Sequence, residues 1–222
     1  MSQKEAMVRD VFKNISKNYD FFDSLMSFGM DKRWRRIAVD MMDIHDGMRI
    51  MDVGAGSGKT IEEITVRYPN SMIDAIDITQ EMFPGNMKNV NFNIASAESI
   101  PFQDGSFQRI VSCFLTRNVE SLENYFFEAY RCLEKGGVFC NMDIFDPGNG
   151  FISPLFRTYF YNIMPWLLDR TSRSHSYSYL AGSVKRFITP SAMVEILENS
   201  GFSEVITRRL AGGTVYIHKC IK

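Results

Sequence analysis

Residues 51–60 read MDVGAGSGKT, and two nucleotide-site patterns overlap in them. The tail, Gly58–Lys59–Thr60, matches the end of a phosphate-binding loop, G-x-x-x-x-G-K-[ST]. That pattern needs a glycine five residues before Gly58, and the chain has Val53 there. The stretch between strand and lysine is also too short to wrap a triphosphate. Asp143, an acid after the apolar run Val138–Met142, is the one feature that keeps a magnesium-dependent NTPase open. The dinucleotide fingerprint G-x-G-x-x-G fits at Gly54 and Gly56 but asks for its third glycine at Lys59. The pattern that fits throughout is acid-x-G-x-G-x-G: Asp52, Gly54, Gly56 and Gly58. Its chemistry suits S-adenosylmethionine. Glycines let the backbone approach a cofactor closely. With no pyrophosphate to cradle, the helix N-terminus need not carry the whole ligand. Asp52 is placed to take the cofactor's ammonium, directly or through water.

Outward from this loop the chain alternates strand and helix. A strand is expected at 48–53, a helix from Ser57 to Arg67, then strands at 71–77, 90–95 and 107–114. A helix from Ser121 to Glu134 meets a glycine stop at Lys135–Gly136–Gly137. A strand at 137–143 follows. The alternation pauses after Asp146–Pro147–Gly148, where an aromatic-rich segment runs from Phe151 to Leu168. A helix started by Thr189 and Pro190 reaches Ser200. Strands at 203–210 and 213–221, joined through Ala211–Gly212, can only form an antiparallel hairpin. Residues 4–44 read as helical with a break near Ser27–Gly29. The sum is an α/β fold: a Rossmann-like, seven-stranded, mostly parallel sheet with a C-terminal antiparallel hairpin and an N-terminal helical extension. We expect one domain over 1–222. It divides into a helical segment (1–44), a cofactor core (45–146), a substrate-cap insertion (147–189) and a closing helix and hairpin (190–222).

In such sheets ligands bind at the C-terminal ends of the strands. Asp77, followed by Ile78, ends the second strand about twenty residues past Gly58, where an acid holds both ribose hydroxyls. Alone, Asp77 is equally a solvated strand end or a helix cap; with the glycine loop it reads as a cofactor ligand. Ser96, Ala97 and Glu98 follow the third strand and Cys113 ends the fourth, where the adenine should be covered. Ser96 and the backbone near Ala97 are set to read the adenine edge, while Cys113 lines or simply packs.

Composition is that of an ordinary globular protein: 222 residues, 45% hydrophobic, 23% charged. The net charge of −1 gives no reason to expect a nucleic-acid partner. Cys113, Cys132, Cys140 and Cys220 lie scattered in apolar stretches without C-x-x-C, as buried thiols of a reducing compartment do. We expect no metal site. MSQKEAMVRD lacks the apolar core of a secretion signal, and no run of about 18 apolar residues occurs. A cytoplasmic location follows, with a peripheral place at the inner face of a membrane also open.

Several longer stretches resemble the ubiquinone/menaquinone biosynthesis C-methyltransferases, the family that includes demethylmenaquinone methyltransferase. They are VRDVFKNISKNYDFFDSLMSFGMDKRWRR (8–36), MDVGAGSG (51–58), AESIPFQDGSF (97–107), FLTRNV (114–119), YRCLEKGG (130–137), YSYLAGSVKRF (177–187) and LAGGTVYIHK (210–219). The likeness covers nearly the whole chain. The N-terminal block, Arg117–Asn118 and the 177–187 segment together are specific to it. It implies a methyltransferase fold with the seventh strand inserted antiparallel and cofactor contacts at Ser57, Asp77, Ser96, Ala97 and Cys113. Three positions depart from the usual pattern. Serine replaces threonine at Ser57, a shorter serine replaces aspartate or asparagine at Ser96, and Cys113 replaces serine. The segment between Asp77 and the third strand is short, with Pro84 in it, so the usual helix there should be reduced.

The implied reaction moves a methyl from a sulfonium to a ring carbon of a reduced polyprenyl quinol or another small aromatic substrate. A neighbouring phenol must lose its proton, so a phenolate must be stabilised while carbon, methyl and sulfur are held in line. Arg117 and Asn118 follow the fourth strand where the methyl should project. An arginine there stays charged at any working pH, and its competing role is a surface ion pair with Glu120 or Glu123. His175 is a candidate general base near neutral pH, or a structural histidine. Tyr177 and Tyr179 are further candidates on the substrate side. Tyr19 either covers the sulfonium by cation–π attraction or packs between helices. Leu25, Met26, Phe28 and Trp34 beside Lys32, Arg33, Arg35 and Arg36 suit an interfacial helix on anionic lipid, or a core stripe with a basic outer face. A homodimer stays open, as do two rivals: the same fold acting on oxygen or nitrogen of another small molecule, and a cofactor-binding scaffold in a quinone-synthesis assembly.

Overall fold

A computed structural model describes residues 2–16, 24–172 and 176–222. Seven strands form one sheet: β1 (Arg49–Val53), β2 (Met72–Asp77), β3 (Val90–Ile94), β4 (Phe107–Cys113), β5 (Leu133–Ile144), β6 (Glu204–Leu210) and β7 (Val215–Ile221). Their order is β3-β2-β1-β4-β5-β7-β6. The first five run parallel, and β7 lies antiparallel between β5 and β6. The hairpin and the inserted seventh strand are therefore both present. The strand order reverses on either side of β1, which puts the switch point beside the glycine loop.

Register explains the composition of the strands. Met51, Ile110, Phe139 and Cys220 lie opposite one another across four strands and share one face. That face packs with Tyr125 and Phe126 of α4 (Leu122–Cys132) and Met193 and Leu197 of α8 (Pro190–Asn199). The other face carries Ile50, Ile73, Val111, Cys140 and Ile217, packed with Ala38, Val39 and Met42 at α2 (Asp31–Met41) and Ile61 and Ile64 of α3 (Lys59–Arg67). Both faces are covered, so the central strands are apolar at nearly every position instead of alternating. Each fully buried Ile, Val or Phe contributes about 1.5–3 kcal/mol toward folding. All four cysteines are free and buried, as expected.

Local signals set the helix ends. Ser121 accepts from Asn124 N at 3.1 Å and starts α4; Thr189 accepts from Ala192 N at 3.2 Å and starts α8, with Pro190 in the first turn. The glycine stop expected at Lys135–Gly137 is not one. The helix ends at Cys132 and the chain turns extended at Leu133, which pairs with Phe107. The glycines instead lie inside a strand, near a register break between Phe107 and Arg109. A Cβ on Gly137 would lie 2.9 Å from Glu134 O and 3.2 Å from Gln108 O, so close backbone approach is what keeps glycine there. The helix expected to shrink after Asp77 is a single 3₁₀ turn, Gln80–Met82.

The aromatic segment becomes α5 (Ser153–Thr158), a π turn (Tyr159–Ile163) and α6 (Met164–Ser172), followed by α7 (Ser176–Lys185). Met164, Leu168, Tyr177 and Leu180 pack with Ile15 of α1 (Gln3–Ile15) in a satellite core. The N-terminal helix and the cap insertion thus meet in one cluster.

Candidate active site

The loop after β1 hooks onto the end of β2. Gly54 N and Ala55 N both donate to Ile76 O, at 2.8 and 3.1 Å, and Gly56 N donates to Asp77 Oδ2 at 3.0 Å. Gly54, Gly56 and Gly58 have φ of +73°, +53° and +79°. At Gly54 the conformation and the space act together: an added Cβ would lie 2.9 Å from the Leu115 side chain. The other Asp77 oxygen accepts from Thr79 N at 2.8 Å. Burial pushes the Asp77 carboxyl up, and these backbone donors oppose it.

These groups open into a cavity whose empty space, with the adjoining open solvent included, is about 830 Å³. Of the residues picked out by sequence, Gly54, Gly56, Ser57, Asp77, Ile78, Ser96, Ala97, Glu98, Cys113 and Asn118 line it. Asp52 and Gly58 lie outside its wall. Asp52 is buried on the Val111 side of β1. Burial raises its carboxyl to about 7, with Arg35 pulling it down and Asp77 pushing it up. Its Oδ2 has no hydrogen-bond partner among the described residues. Burial likewise raises the Cys113 thiol to about 11, so it lines the wall as a neutral group. Tyr19 and His175 lie outside the described residues.

Two charged cavity residues were not anticipated. Arg35, read from sequence as part of a basic outer face, turns inward. Its Nη1 donates to Thr60 Oγ1 at 2.8 Å and its guanidinium lies 5.0 Å from the centre of the Phe114 ring. The signal was present: Arg35, Val39 and Met42 share one helical stripe. Glu5 is the second. It lines the cavity with Val8 and Phe12, at helical spacing on one face of α1. One of its oxygens accepts from Ser2 N at 2.8 Å in a capping box, and the other accepts from the Ser96 hydroxyl. Ser96 Oγ in turn accepts from Glu98 N at 3.1 Å. The Glu98 carboxylate accepts from Glu120 N and Ser121 N, at 2.7 and 3.0 Å.

A second, apolar pocket of about 1340 Å³ adjoins the first. Met26, Phe28, Trp34, Ile144, Leu155, Phe156, Tyr159, Phe160, Tyr177 and Leu180 are among its walls, and Arg117 is the charged residue in its lining. Phe114 lines both cavities. Its backbone is left-handed, φ +67°, an uncommon conformation for a bulky residue. Phe114 N donates to Met142 O at 2.7 Å, and Phe114 O accepts from Arg117 Nη1 at 2.9 Å.

Arg117 does not form the surface pair with Glu120 or Glu123. It is buried, and its guanidinium pairs with Asp143, the fully buried acid near the end of β5. The same carboxylate accepts from Thr116 Oγ1 (2.5 Å), Arg117 N (3.2 Å) and Ile144 N (2.7 Å). Asp143 therefore serves as an anchor for Arg117 instead of a magnesium ligand. A lone acid inside an apolar strand needs such a partner, and that need was the readable clue. Lys59, the phosphate-loop lysine, faces Asp31 at 3.4 Å. Tyr177 reaches the apolar pocket, whereas Tyr179 lies beside Arg117 in a smaller cleft with Lys4 and Arg186.

Comparison with known proteins matches the whole chain, residues 1–222, to the ubiE/COQ5 methyltransferase family. The ubiquinone/menaquinone biosynthesis C-methyltransferase of Geobacter sp. strain M21 is 32% identical over 98% of this chain and 97% of that protein. The protein of the same name from Rickettsia felis is 30% identical over 100% and 94%. Among solved structures, a SAM-dependent methyltransferase from Thermotoga maritima superposes with a TM-score of 0.65 at 17% identity, over 96% of this chain and 99% of that one. Phosphoethanolamine N-methyltransferase 2 of Haemonchus contortus, in complex with S-adenosyl-L-methionine, gives 0.64 at 12% identity, over 86% and 52%. At these identities the structural likeness concerns the fold.

Proposed function

Because the chain belongs to the ubiE/COQ5 methyltransferase family, we propose that it methylates a ring carbon of a demethylmenaquinol or related polyprenyl quinol, with S-adenosylmethionine as donor. The observation that carries this reading is the pair of cavities that share Phe114, one lined by the glycine loop and carboxylates, the other apolar with a single buried guanidinium in its lining.

The residues of the first cavity fit the donor. Asp77 ends β2 with both oxygens at the wall and suits ribose hydroxyls. Asp52 lies behind that wall, so its buried Oδ2, without a hydrogen-bond partner among the described residues, would reach the cofactor's ammonium only through water. Gly54, Gly56 and Ser57 bring backbone close. Met82, Ala97 and Val119 give apolar cover for a purine. When bound, S-adenosylmethionine supplies a methyl on a positively charged sulfur, a good leaving group.

The rest of the work falls to the chain. The apolar pocket takes the ring and the first part of the tail out of water. Arg117, fixed by Asp143, stabilises negative charge on the ring oxygen, and low-dielectric walls strengthen that attraction. Asn118, with Nδ2 3.5 Å from Phe114 O, stands on the cofactor side of the same turn. His175 is the proposed proton acceptor. Tyr19 is proposed to cover the sulfonium.

The pocket mouth also bears on where the substrate comes from. Phe28 and Leu155, which line the pocket, are exposed, as are Phe151 and Trp166 of the same aromatic segment as Leu155. Among the described residues no helix is long and apolar enough to cross a membrane. These side chains support a peripheral contact with the bilayer that holds the tail. A homodimer is a further proposal that the described surface leaves to solution measurement.

Calorimetric titration with S-adenosylmethionine, S-adenosylhomocysteine and Mg-ATP is the first test, with Asp77→Ala as control. We expect binding of both adenosyl ligands, lost in the variant, and no binding of Mg-ATP. Methylation of a demethylmenaquinol by the wild type, and its loss in Arg117→Met with adenosyl binding retained, completes it. Binding of Mg-ATP alone would overturn the reading.

A further inference from the structure

We propose that Asp146, two residues past the end of β5, is a positioning residue that clamps the aromatic cap over the apolar pocket and so sets how tightly that pocket holds the acceptor ring. The inference rests on the quinol reading of the pocket and adds to it the group that fixes the cap-side wall.

That wall comes from one helical stripe. Ile152, Leu155, Phe156, Tyr159 and Phe160 recur at helical spacing along α5 and the π turn, and all five line the pocket. Arg157 and Tyr161, four residues apart, occupy the neighbouring stripe and reach Asp146 instead. The Tyr161 ring stands edge-on to Phe156 and Phe160, at 5.7 and 5.8 Å between centroids, while those two stack on each other at 4.9 Å. A group that holds Tyr161 therefore holds two rings of the wall.

Asp146 has the geometry to do so. Arg157 meets the carboxylate as a fork, with Nε donating to Oδ2 at 3.1 Å and Nη2 to Oδ1 at 2.7 Å. The Tyr161 hydroxyl donates to Oδ2 at 2.8 Å, and Gly148 N donates to Oδ1 at 2.9 Å. Arg157 Nη2 also donates to Gly148 O at 2.9 Å. An isolated surface pair contributes little, but a forked guanidinium on a shared carboxylate is the stronger kind. Arg157 holds the Asp146 carboxyl below the usual carboxylate range against partial burial, and Tyr161 adds to this. The base under the clamp is rigid. Phe145 is fully buried, its N donates to Thr214 O at 2.9 Å, and the rings of Phe187 and Tyr216 pack on it. The cap itself is lightly rooted: the buried cluster around Phe160 consists of Ala181 and Val184 with partly buried neighbours. A segment with few buried apolar contacts opens easily, which is why a charged tie matters here. One strand end thus carries two acids with two tasks. Asp143 fixes Arg117, and Asp146 fixes the wall of the same pocket.

The test is steady-state methylation of a short-tailed demethylmenaquinol by the full chain, with calorimetry of S-adenosylhomocysteine alongside. Asp146→Ala should raise the quinol KM by about tenfold, the scale of a hydrogen bond to a charged group, with kcat within about threefold and adenosyl binding unchanged. Tyr161→Phe, which removes one hydroxyl and keeps the ring, should raise KM by about three- to tenfold. The double variant should match Asp146→Ala, because the hydroxyl has then already lost its acceptor. Binding is read without turnover from quenching of Trp34, a pocket residue, by 2-methyl-1,4-naphthoquinone in a Trp166→Phe background. The quenching midpoint should move with KM. If both variants lower only the melting temperature and leave KM and quenching unchanged, Asp146 is merely structural and the proposal is overturned. A parallel loss of kcat, quinol affinity and adenosyl binding overturns it as well. A wild type that binds S-adenosylhomocysteine but neither methylates the quinol nor is quenched overturns the quinol reading and this one together.

Discussion

Replacing Asp143 with asparagine should be among the most costly single changes in the site. The carboxylate takes four donors: Thr116 Oγ1, Arg117 N, Arg117 Nη1 and Ile144 N. It is fully buried, and the Arg117 side chain is 6% exposed. Asparagine keeps one acceptor oxygen, turns an NH₂ toward existing donors and removes the carboxylate charge that faces the guanidinium. Breaking a buried pair from one side costs about 3–5 kcal/mol. With a urea slope near 3 kcal/mol/M, the upper end for small proteins, the unfolding midpoint should fall by about 1–1.7 M. Arg117→Met/Asp143→Asn removes both charges of the buried pair, so it should be more stable than Asp143→Asn alone. The coupling should then exceed about 1 kcal/mol, well outside the additivity seen for independent sites. Urea melts of the wild type, the two single variants and the double variant, with matched slopes, measure all of this. A loss below about 1 kcal/mol for Asp143→Asn, or a double variant equal to the sum of the singles, would refute the claim that Asp143 anchors Arg117.

Two further outcomes follow from the glycine loop and the acid beside it. Gly54→Ala must hold a side chain at φ +73° with its Cβ 2.9 Å from Leu115. It should cost about 1–2 kcal/mol for the backbone and a further 1–3 for overpacking, visible as a lower urea midpoint with weakened adenosyl binding. Asp52 makes stability fall with rising pH. Its carboxyl stands near 7 when folded against 3.8 when free, so between those values the native state binds a proton that the unfolded chain lacks. The associated stabilisation, on the order of 4 kcal/mol, is present near pH 4 and lost as pH rises through 7. Asp52→Asn should remove this component from a plot of unfolding free energy between pH 4 and 8. An unchanged slope in the variant would show that burial does not perturb Asp52 in this way.

The sheet was legible because its signals were local and redundant. Apolar runs, caps at Ser121 and Thr189, and the Asp52-to-Gly58 spacing all agree with one architecture. The helix stop at Gly136 misled because the same glycines serve a strand irregularity, and only the Leu133 pairing with Phe107 distinguishes the two. The residues lining the first cavity were largely legible, since the ends of parallel strands converge by topology. What escaped were side chains whose partners lie far away in sequence. Glu5 meets Ser96 across 91 residues and Arg117 meets Asp143 across 26. Arg35 escaped for another reason: an arginine in a run of basic residues looks solvated unless its helical phase is counted against Val39 and Met42.

Phe114 lines both cavities, and its own main chain makes the bonds that fix its turn. Its N–H goes to Met142 O, and its carbonyl holds Arg117. On the proposed reading the divide between donor side and acceptor side lies at this turn, while the acceptor side is built largely from side chains of residues 151–180. Mutations in the cap can reshape which ring is admitted without moving the boundary at which transfer would take place. A lineage, or an engineer, can explore new substrates by altering residues 151–168 while inheriting the alignment of the two cavities unchanged.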